Sequence, residues 1–369
     1  MDFLRRTWAE INIPALLHNY NLIKKQVGDK KILPVVKANA YGHDEIAVAK
    51  ALMEAGADGF TVSNLIEATI LRENGIDLPV LILGYTPPEC AEELADNNIT
   101  QAVFSPEYAL ELSRNANGKT IDIHIKLDTG MGRIGFDVKS GDFSDITKVY
   151  ELENLNVTGV FSHFSSADSI TPSDTEYTDR QYKFFHNAIS YLKERGLNVG
   201  LTHCLNSAAI LNTDKYDCDA CRPGIILYGL NPSNSVKLEG LKPVMTLKSV
   251  VSMVKTINEG DALSYGRTFV AKKQMKVATV SAGYADGYPR LLSGKGEVIV
   301  GGKRAKILGN ICMDQFIIDV SDIENVKSGD EVILFGKEIT ANEIAEKCQT
   351  IGYEITCGLT PRVPRVIKY

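Results

Sequence analysis

From Lys30 to Tyr228 the chain alternates short, largely β-branched apolar runs with longer stretches whose apolar positions recur at helical spacing, the pattern of βα units around a parallel sheet. Eight runs read as strands: Ile32–Val36, Gly59–Val62, Val80–Leu83, Gln101–Phe104, Ile121–Leu127, Val157–Ser162, Val199–Cys204 and Asp219–Tyr228. Asp44–Ala55, Leu65–Asn74 and Glu176–Arg195 are among the helices predicted between them. Eight repeats predict a closed, TIM-like (β/α)8 barrel, an α/β fold occupying residues 1–235.

Beyond Asn231 the period shortens to strand-like alternation with turn signals between segments: Val244–Ile257, Lys276–Val280, Glu297–Val300, Lys306–Leu308, Gln315–Val320 and Glu331–Phe335. One helix, Ala341–Cys348, follows the capping residue Thr340. Residues 236–369 therefore read as a mainly β domain. The opening strand Arg6–Ile13 precedes the first barrel helix and is free to pack on that β domain instead.

Composition is that of an ordinary globular protein, with 44% hydrophobic and 23% charged residues. The net charge of −6, with lysines and arginines spread along the chain, gives no footprint for nucleic acid or an anionic membrane. The first ten residues lack a signal-peptide stretch and no segment is apolar over a membrane-spanning length, so a cytoplasmic location is expected. Seven scattered cysteines fit a reducing compartment; Cys218 and Cys221 form a CxxC without a second pair, read as incidental rather than as a metal site.

Barrel active sites gather at the carboxyl ends of the strands, where this chain concentrates its chemistry. The first strand ends at Lys37, whose amine, partly desolvated beside an apolar strand, suits a Schiff base with a carbonyl. Taken alone it is more commonly read as a lysine leaving the strand for solvent. The fifth strand runs into Asp128-Thr129-Gly130-Met131-Gly132-Arg133, a turn that delivers a fixed cation, and the sixth ends at His163. Asn206-Ser207 and Arg222-Pro223-Gly224-Ile225 follow strands seven and eight, where such barrels build a phosphate cradle; Ser207, Gly224 and Ile225 fit that part. A lysine opposite a phosphate cradle points to a phosphorylated aldehyde, with pyridoxal 5'-phosphate the candidate cofactor. Arg222 can only donate, so facing the pyridine nitrogen it leaves the ring neutral and favours rapid reprotonation at Cα.

The segments VVKANAYGH, KLDTGMGRIGF, FSHF, NSAA, LSYG, SAGYADGYPR, GNICMDQ and YEITCGLTPRVPR, with the RPGI and LYG stretches, resemble the alanine racemase family, in order and over nearly the whole chain. The resemblance implies a homodimer with shared active sites, interconverting L- and D-alanine. It implies that Lys37 holds pyridoxal phosphate, that Tyr41, Ser207, Gly224, Ile225 and Tyr353 bind its phosphate, that Arg222 faces its ring nitrogen, and that His163 belongs to the cofactor site and Arg133 to the substrate site. Tyr265 matches a second catalytic base entering from the partner subunit, helped by His163 and Arg133, and Lys126 matches a carbamylated lysine that orients Arg133. Met313 matches a substrate-carboxylate contact and Tyr284 the mouth of the channel, against plain readings as a core methionine and a surface aromatic. D-Alanine from this family usually feeds bacterial cell-wall synthesis. Asp44 stands where the family commonly has glycine, which bears on the first helix start, although aspartate caps helices well.

The alternatives are a serine or broad-specificity racemase, a pyridoxal-phosphate decarboxylase, a barrel aldolase using a bare lysine, and a non-catalytic cofactor carrier. Arg222 argues against the decarboxylase, which would set an acidic residue against the ring nitrogen.

Overall fold

The computed structural model describes residues 6–212 and 214–369. Strand β1 (Thr7–Asn12) leads into a helix, Ile13–Val27, whose first turn is capped by Asn12 accepting from the Ala15 amide at 2.8 Å. The barrel strands follow: β2 (Lys31–Ile32), β3 (Phe60–Val62), β4 (Val80–Ile82), β5 (Ile99–Val103), β6 (Ile121–Asp128), β7 (Leu155–Phe161), β8 (Leu201–Leu205) and β9 (Ala220–Cys221). All their pairings are parallel, in the order β2-β9-β8-β7-β6-β5-β4-β3. The ring closes through residues 33–36. Val35 bridges Thr61, the Val36 amide donates to Thr61 O at 3.0 Å, and the Leu33 and Val35 amides donate to Cys221 O and Pro223 O at 2.9 and 2.8 Å.

The second domain is built on β10 (Met245–Ile257), whose burial alternates along its first half as the sequence pattern requires. With β11 (Met275–Val280), β12 (Glu297–Val300), β13 (Lys303–Leu308), β14 (Phe316–Asp319) and β15 (Glu331–Phe335) it closes a second ring, β10 pairing with both β11 and β15. Strand β1 pairs antiparallel with β10 and parallel with β16 (Arg365–Lys368), so the first described strand lies in the β domain's sheet. No helix among the described residues is long and apolar enough to cross a membrane.

Two sequence expectations need correcting at the site end. Strand eight stops at Cys221 instead of running to Tyr228, because Pro223 has no amide to donate and the chain then folds into turns at Ile225–Gly229. The first strand stops short of Lys37, and Ala38, Asn39, Ala40 and Tyr41 follow in left-handed geometry, φ 52° to 54°. The next helix begins at Glu45 with Asp44 at φ 73°, which accounts for a glycine preference there, while its carboxylate caps the Ala47 amide at 2.9 Å.

Candidate active site

Left-handed turns cost ordinary residues roughly 1–2 kcal/mol each, so the run after Lys37 must be held from outside. Glu67 accepts from the Ala38 amide at 2.8 Å and from the Ser63 amide at 2.7 Å. Gly42 passes so close to Thr356 that a Cβ would lie 2.2 Å from its carbonyl oxygen, and Arg365 donates to Gly42 O at 2.9 Å. The turn is thus gripped by the C-terminal domain as well as by the barrel. Lys37 sits at its head, half-buried, its pKa pulled below the usual lysine range first by burial and next by the Arg133 charge, with Glu67 opposing. Because the neutral amine is the nucleophile, a lowered pKa carries reactivity to lower pH. Borohydride trapping of an added aldehyde on Lys37 should therefore reach half its maximal rate below the pH of an ordinary lysine; a midpoint at or above that value would contradict this electrostatic picture.

Arg222 is buried at 3% exposure beneath the same end of the barrel. Its guanidinium donates to Ser162 O at 2.7 Å and His203 O at 3.0 Å, meets the His203 ring nitrogen Nδ1, and approaches His163 Nδ1 at 3.5 Å. Arginine has no acceptor, so His203 Nδ1 must accept; His203 Nε2 then carries the proton and donates to His124 Nδ1, 2.8 Å away. Burial and the Arg222 charge both hold His163 and His203 neutral, far below the ordinary histidine range. Burial lowers Arg222 itself to about 10, still protonated at neutral pH. Lys126, on β6, is enclosed nearby with its amine on Leu127 O at 3.0 Å, and burial followed by the Arg222 charge lowers it to about 7.

The cradle after β8 and β9 passes a direct test of fit. The Ser207 hydroxyl accepts from the Gly224 amide at 2.8 Å, and a Cβ on Gly224 would stand 2.7 Å from the Tyr41 hydroxyl. Among the described residues neither the Tyr41 hydroxyl nor the Ile225 amide has a hydrogen-bond partner. Two hydroxyls and a free amide around a bare Cα suit a phosphate. Tyr353 packs on Tyr41 with ring centroids 5.9 Å apart. Gly224→Ala should force the Tyr41 hydroxyl aside and raise the dissociation constant for pyridoxal phosphate roughly tenfold or more, about 1.4 kcal/mol. An unchanged constant in fluorescence titration would show that the cradle is not used.

Three predicted residues form a separate group on the β domain. Tyr284 donates its amide to Cys312 O at 3.1 Å, Ala285 donates to Met313 O at 3.0 Å, and Ser264, next to Tyr265, lies with its hydroxyl 3.6 Å from Cys312 Sγ and 2.6 Å from Asn310 O. Tyr265 is 73% exposed, Met313 52% and Tyr284 42%. The structure thus gathers Lys37, Tyr41, Lys126, Arg133, His163, Ser207, Arg222, Gly224, Ile225 and Tyr353 at the barrel mouth, and places Tyr265, Met313 and Tyr284 together on loops facing solvent.

Sequence reasoning passed over His203 and His124 under Arg222, Glu67 on the turn, and Asp286, which is 1% exposed and binds Arg6 through both carboxylate oxygens at 2.7 and 3.0 Å. Their signal was faint, since each acts on another side chain and only spatial register brings it there. Cys218 of the CxxC lies with its sulfur 4.0 Å from that of Cys204.

A parallel barrel with a partly desolvated lysine at its mouth is joined here to a closed, mainly β domain, an α/β two-domain architecture that comparison with known proteins identifies. The alanine racemase N-terminal domain model matches residues 11–232 and the alanine racemase C-terminal domain model residues 244–367; the chain belongs to the alanine racemase family. It is 45% identical to alanine racemase 2 of Caldanaerobacter subterraneus subsp. tengcongensis, over 100% of this chain and 96% of that protein. Among solved structures, alanine racemase of Clostridium difficile 630 superposes with TM-score 0.94 at 39% identity, covering 100% of this chain and 97% of that one. Alanine racemase of Bacillus anthracis with bound L-Ala-P gives TM-score 0.93 at 38% identity, covering 100% and 96%.

Proposed function

We propose that this protein interconverts L- and D-alanine, with pyridoxal phosphate held on Lys37 and two bases acting on opposite faces of the substrate Cα, Lys37 from one subunit and Tyr265 from its partner in a homodimer. The observation that carries the reading is Arg222. A buried, obligate donor locked between the Ser162 and His203 carbonyls cannot accept a hydrogen bond from a protonated ring nitrogen, so the cofactor's ring would stay neutral there, which favours quick reprotonation over the chemistry of a decarboxylase. When bound, the cofactor supplies the electron sink that makes the Cα proton removable.

The protein's residues do the rest. Tyr41, Ser207, Gly224, Ile225 and Tyr353 would hold the phosphate, and Arg133 and the Met313 amide would bind the substrate carboxylate. Lys37 would carry the proton on one face and Tyr265 on the other, with His163, neutral in its buried site, as hydrogen-bond partner to that hydroxyl. The exposure of Tyr265, far from burial in its own chain, supports a role in another subunit's site. Tyr353 at the cradle leaves little width for a hydroxymethyl group, so kcat/KM should be higher for L-alanine than for L-serine; a preference for serine would reverse the substrate assignment.

Lys126, lowered to about 7, has a large neutral fraction near physiological pH and reacts with carbon dioxide in that form, which supports a carbamate there facing Arg133. With 13C-bicarbonate a carbamate resonance should appear that Lys126→Gln lacks, and its absence in the unaltered protein would remove the assignment. The decisive experiment is borohydride trapping and peptide mapping after incubation with L-alanine. Cofactor on Lys37 together with D-alanine is the expected result. Cofactor without D-alanine would indicate another amino acid or a carrier, and no trapped cofactor would overturn the reading.

A further inference from the structure

The buried imidazole of His43 is outside the group described above, and its surroundings give it a task. Its Nδ1 lies 3.0 Å from both Ala40 O and Tyr41 O, the carbonyls of the left-handed turn. Carbonyls only accept, so Nδ1 carries the proton and the ring straps two residues whose backbone would otherwise relax. The other nitrogen, Nε2, is buried with no partner, and burial lowers the ring's pKa to about 4, keeping it neutral. The imidazole stacks on Tyr228 with centroids 4.5 Å apart, and the Tyr228 ring lies 5.0 Å from that of Tyr41. The Tyr228 hydroxyl donates to Val35 O at 2.8 Å. Lys37 is therefore bracketed: Tyr228 fixes the carbonyl two residues before it, His43 fixes those three and four residues after it, and the two rings are stacked on each other.

We infer that His43 and Tyr228 form a positioning clamp that holds Lys37 and the Tyr41 hydroxyl in register with the phosphate cradle. The inference rests on the pyridoxal-phosphate reading for its functional meaning, while its structural core concerns the turn alone. A buried orphan nitrogen is a cost, and a leucine would avoid it. What leucine cannot supply is the Nδ1 proton.

Three variants separate the strap from mere packing. His43→Asn keeps a donor at the Nδ1 position, His43→Leu removes it, and Tyr228→Phe removes one hydroxyl at nearly constant volume. Two quantities are measured: the dissociation constant for pyridoxal phosphate, and amide hydrogen exchange over residues 37–44 in the cofactor-free protein. His43→Leu and Tyr228→Phe should each raise both the dissociation constant and the exchange rates at least about tenfold, with His43→Asn within about threefold of the unaltered protein. If His43→Leu does not fold, Tyr228→Phe carries the comparison. Wild-type exchange in Tyr228→Phe, or His43→Asn as impaired as His43→Leu, overturns the clamp. An unaltered protein that binds no pyridoxal phosphate overturns the functional reading instead, and the exchange measurements then decide the clamp alone.

Discussion

Lys37→Ala is expected to lower kcat/KM for alanine racemisation by at least about a thousandfold and to leave no cofactor trapped by borohydride at position 37. The loss should be chemical and not structural. Lys37 is half-buried and its pKa is depressed, so its charged form is disfavoured where it stands and alanine removes a strained group from the fold. Thermal unfolding of the cofactor-free variant should accordingly occur at or slightly above the temperature of the unaltered cofactor-free protein. One other lysine competes for the assignment: Lys126, lowered to about 7, is about half neutral amine near pH 7. It is 5% exposed, with its amine engaged on Leu127 O, and has no open face for an incoming aldehyde. Peptide mapping therefore discriminates between them, and cofactor found on Lys126, or a tenth of the activity surviving in Lys37→Ala, would refute the role given to Lys37.

Much of the barrel could be read from the sequence because its strands are covered on both faces, which makes Val80, Leu81 and Ile82 one uninterrupted buried run. The β domain declared itself through the opposite signal, the alternation along β10. The segment between Lys37 and Asp44 gave no such sign. Alanine, asparagine and tyrosine have no preference for four successive left-handed residues, and the turn exists because Glu67, Thr356 and Arg365 reach it from distant parts of the chain while His43 straps it locally. The same distinction runs through the site. Side chains that close a strand, such as Lys37, Ser207 and Arg222, were found by position, whereas His203, His124 and Tyr228 lie beneath them and depend on register that only the folded barrel supplies. Tyr265 belongs to a third kind: nothing in its local pattern marks it, and only the family resemblance singled it out.

Tyr265→Phe is the sharper test of the mechanism, provided the right quantity is followed. L- and D-alanine are mirror images with an equilibrium constant of unity, and no substitution in a catalyst moves an equilibrium, so kcat/KM for net racemisation must fall equally from both sides whatever Tyr265 does. Exchange of the Cα hydrogen with deuterated solvent is free of that constraint. With Lys37 intact and Tyr265→Phe on the opposite face, exchange from one enantiomer should persist while exchange from the other falls by roughly 10²–10⁴. Equal losses in both would leave Tyr265 a structural residue. Subunit mixing then locates it. In a dimer of one Lys37→Ala chain and one Tyr265→Phe chain, bases contributed by different subunits leave one site doubly altered and the other fully wild type, whereas bases from a single chain leave both sites defective. Random reassortment of equal amounts makes half the dimers mixed, each with one working site, so two nearly inactive proteins should recover roughly a quarter of full activity on mixing if Tyr265 acts across the interface. No recovery, with mixed dimers demonstrated by mass, would put both bases in the same chain and require the exposed Tyr265 loop to fold back onto its own barrel.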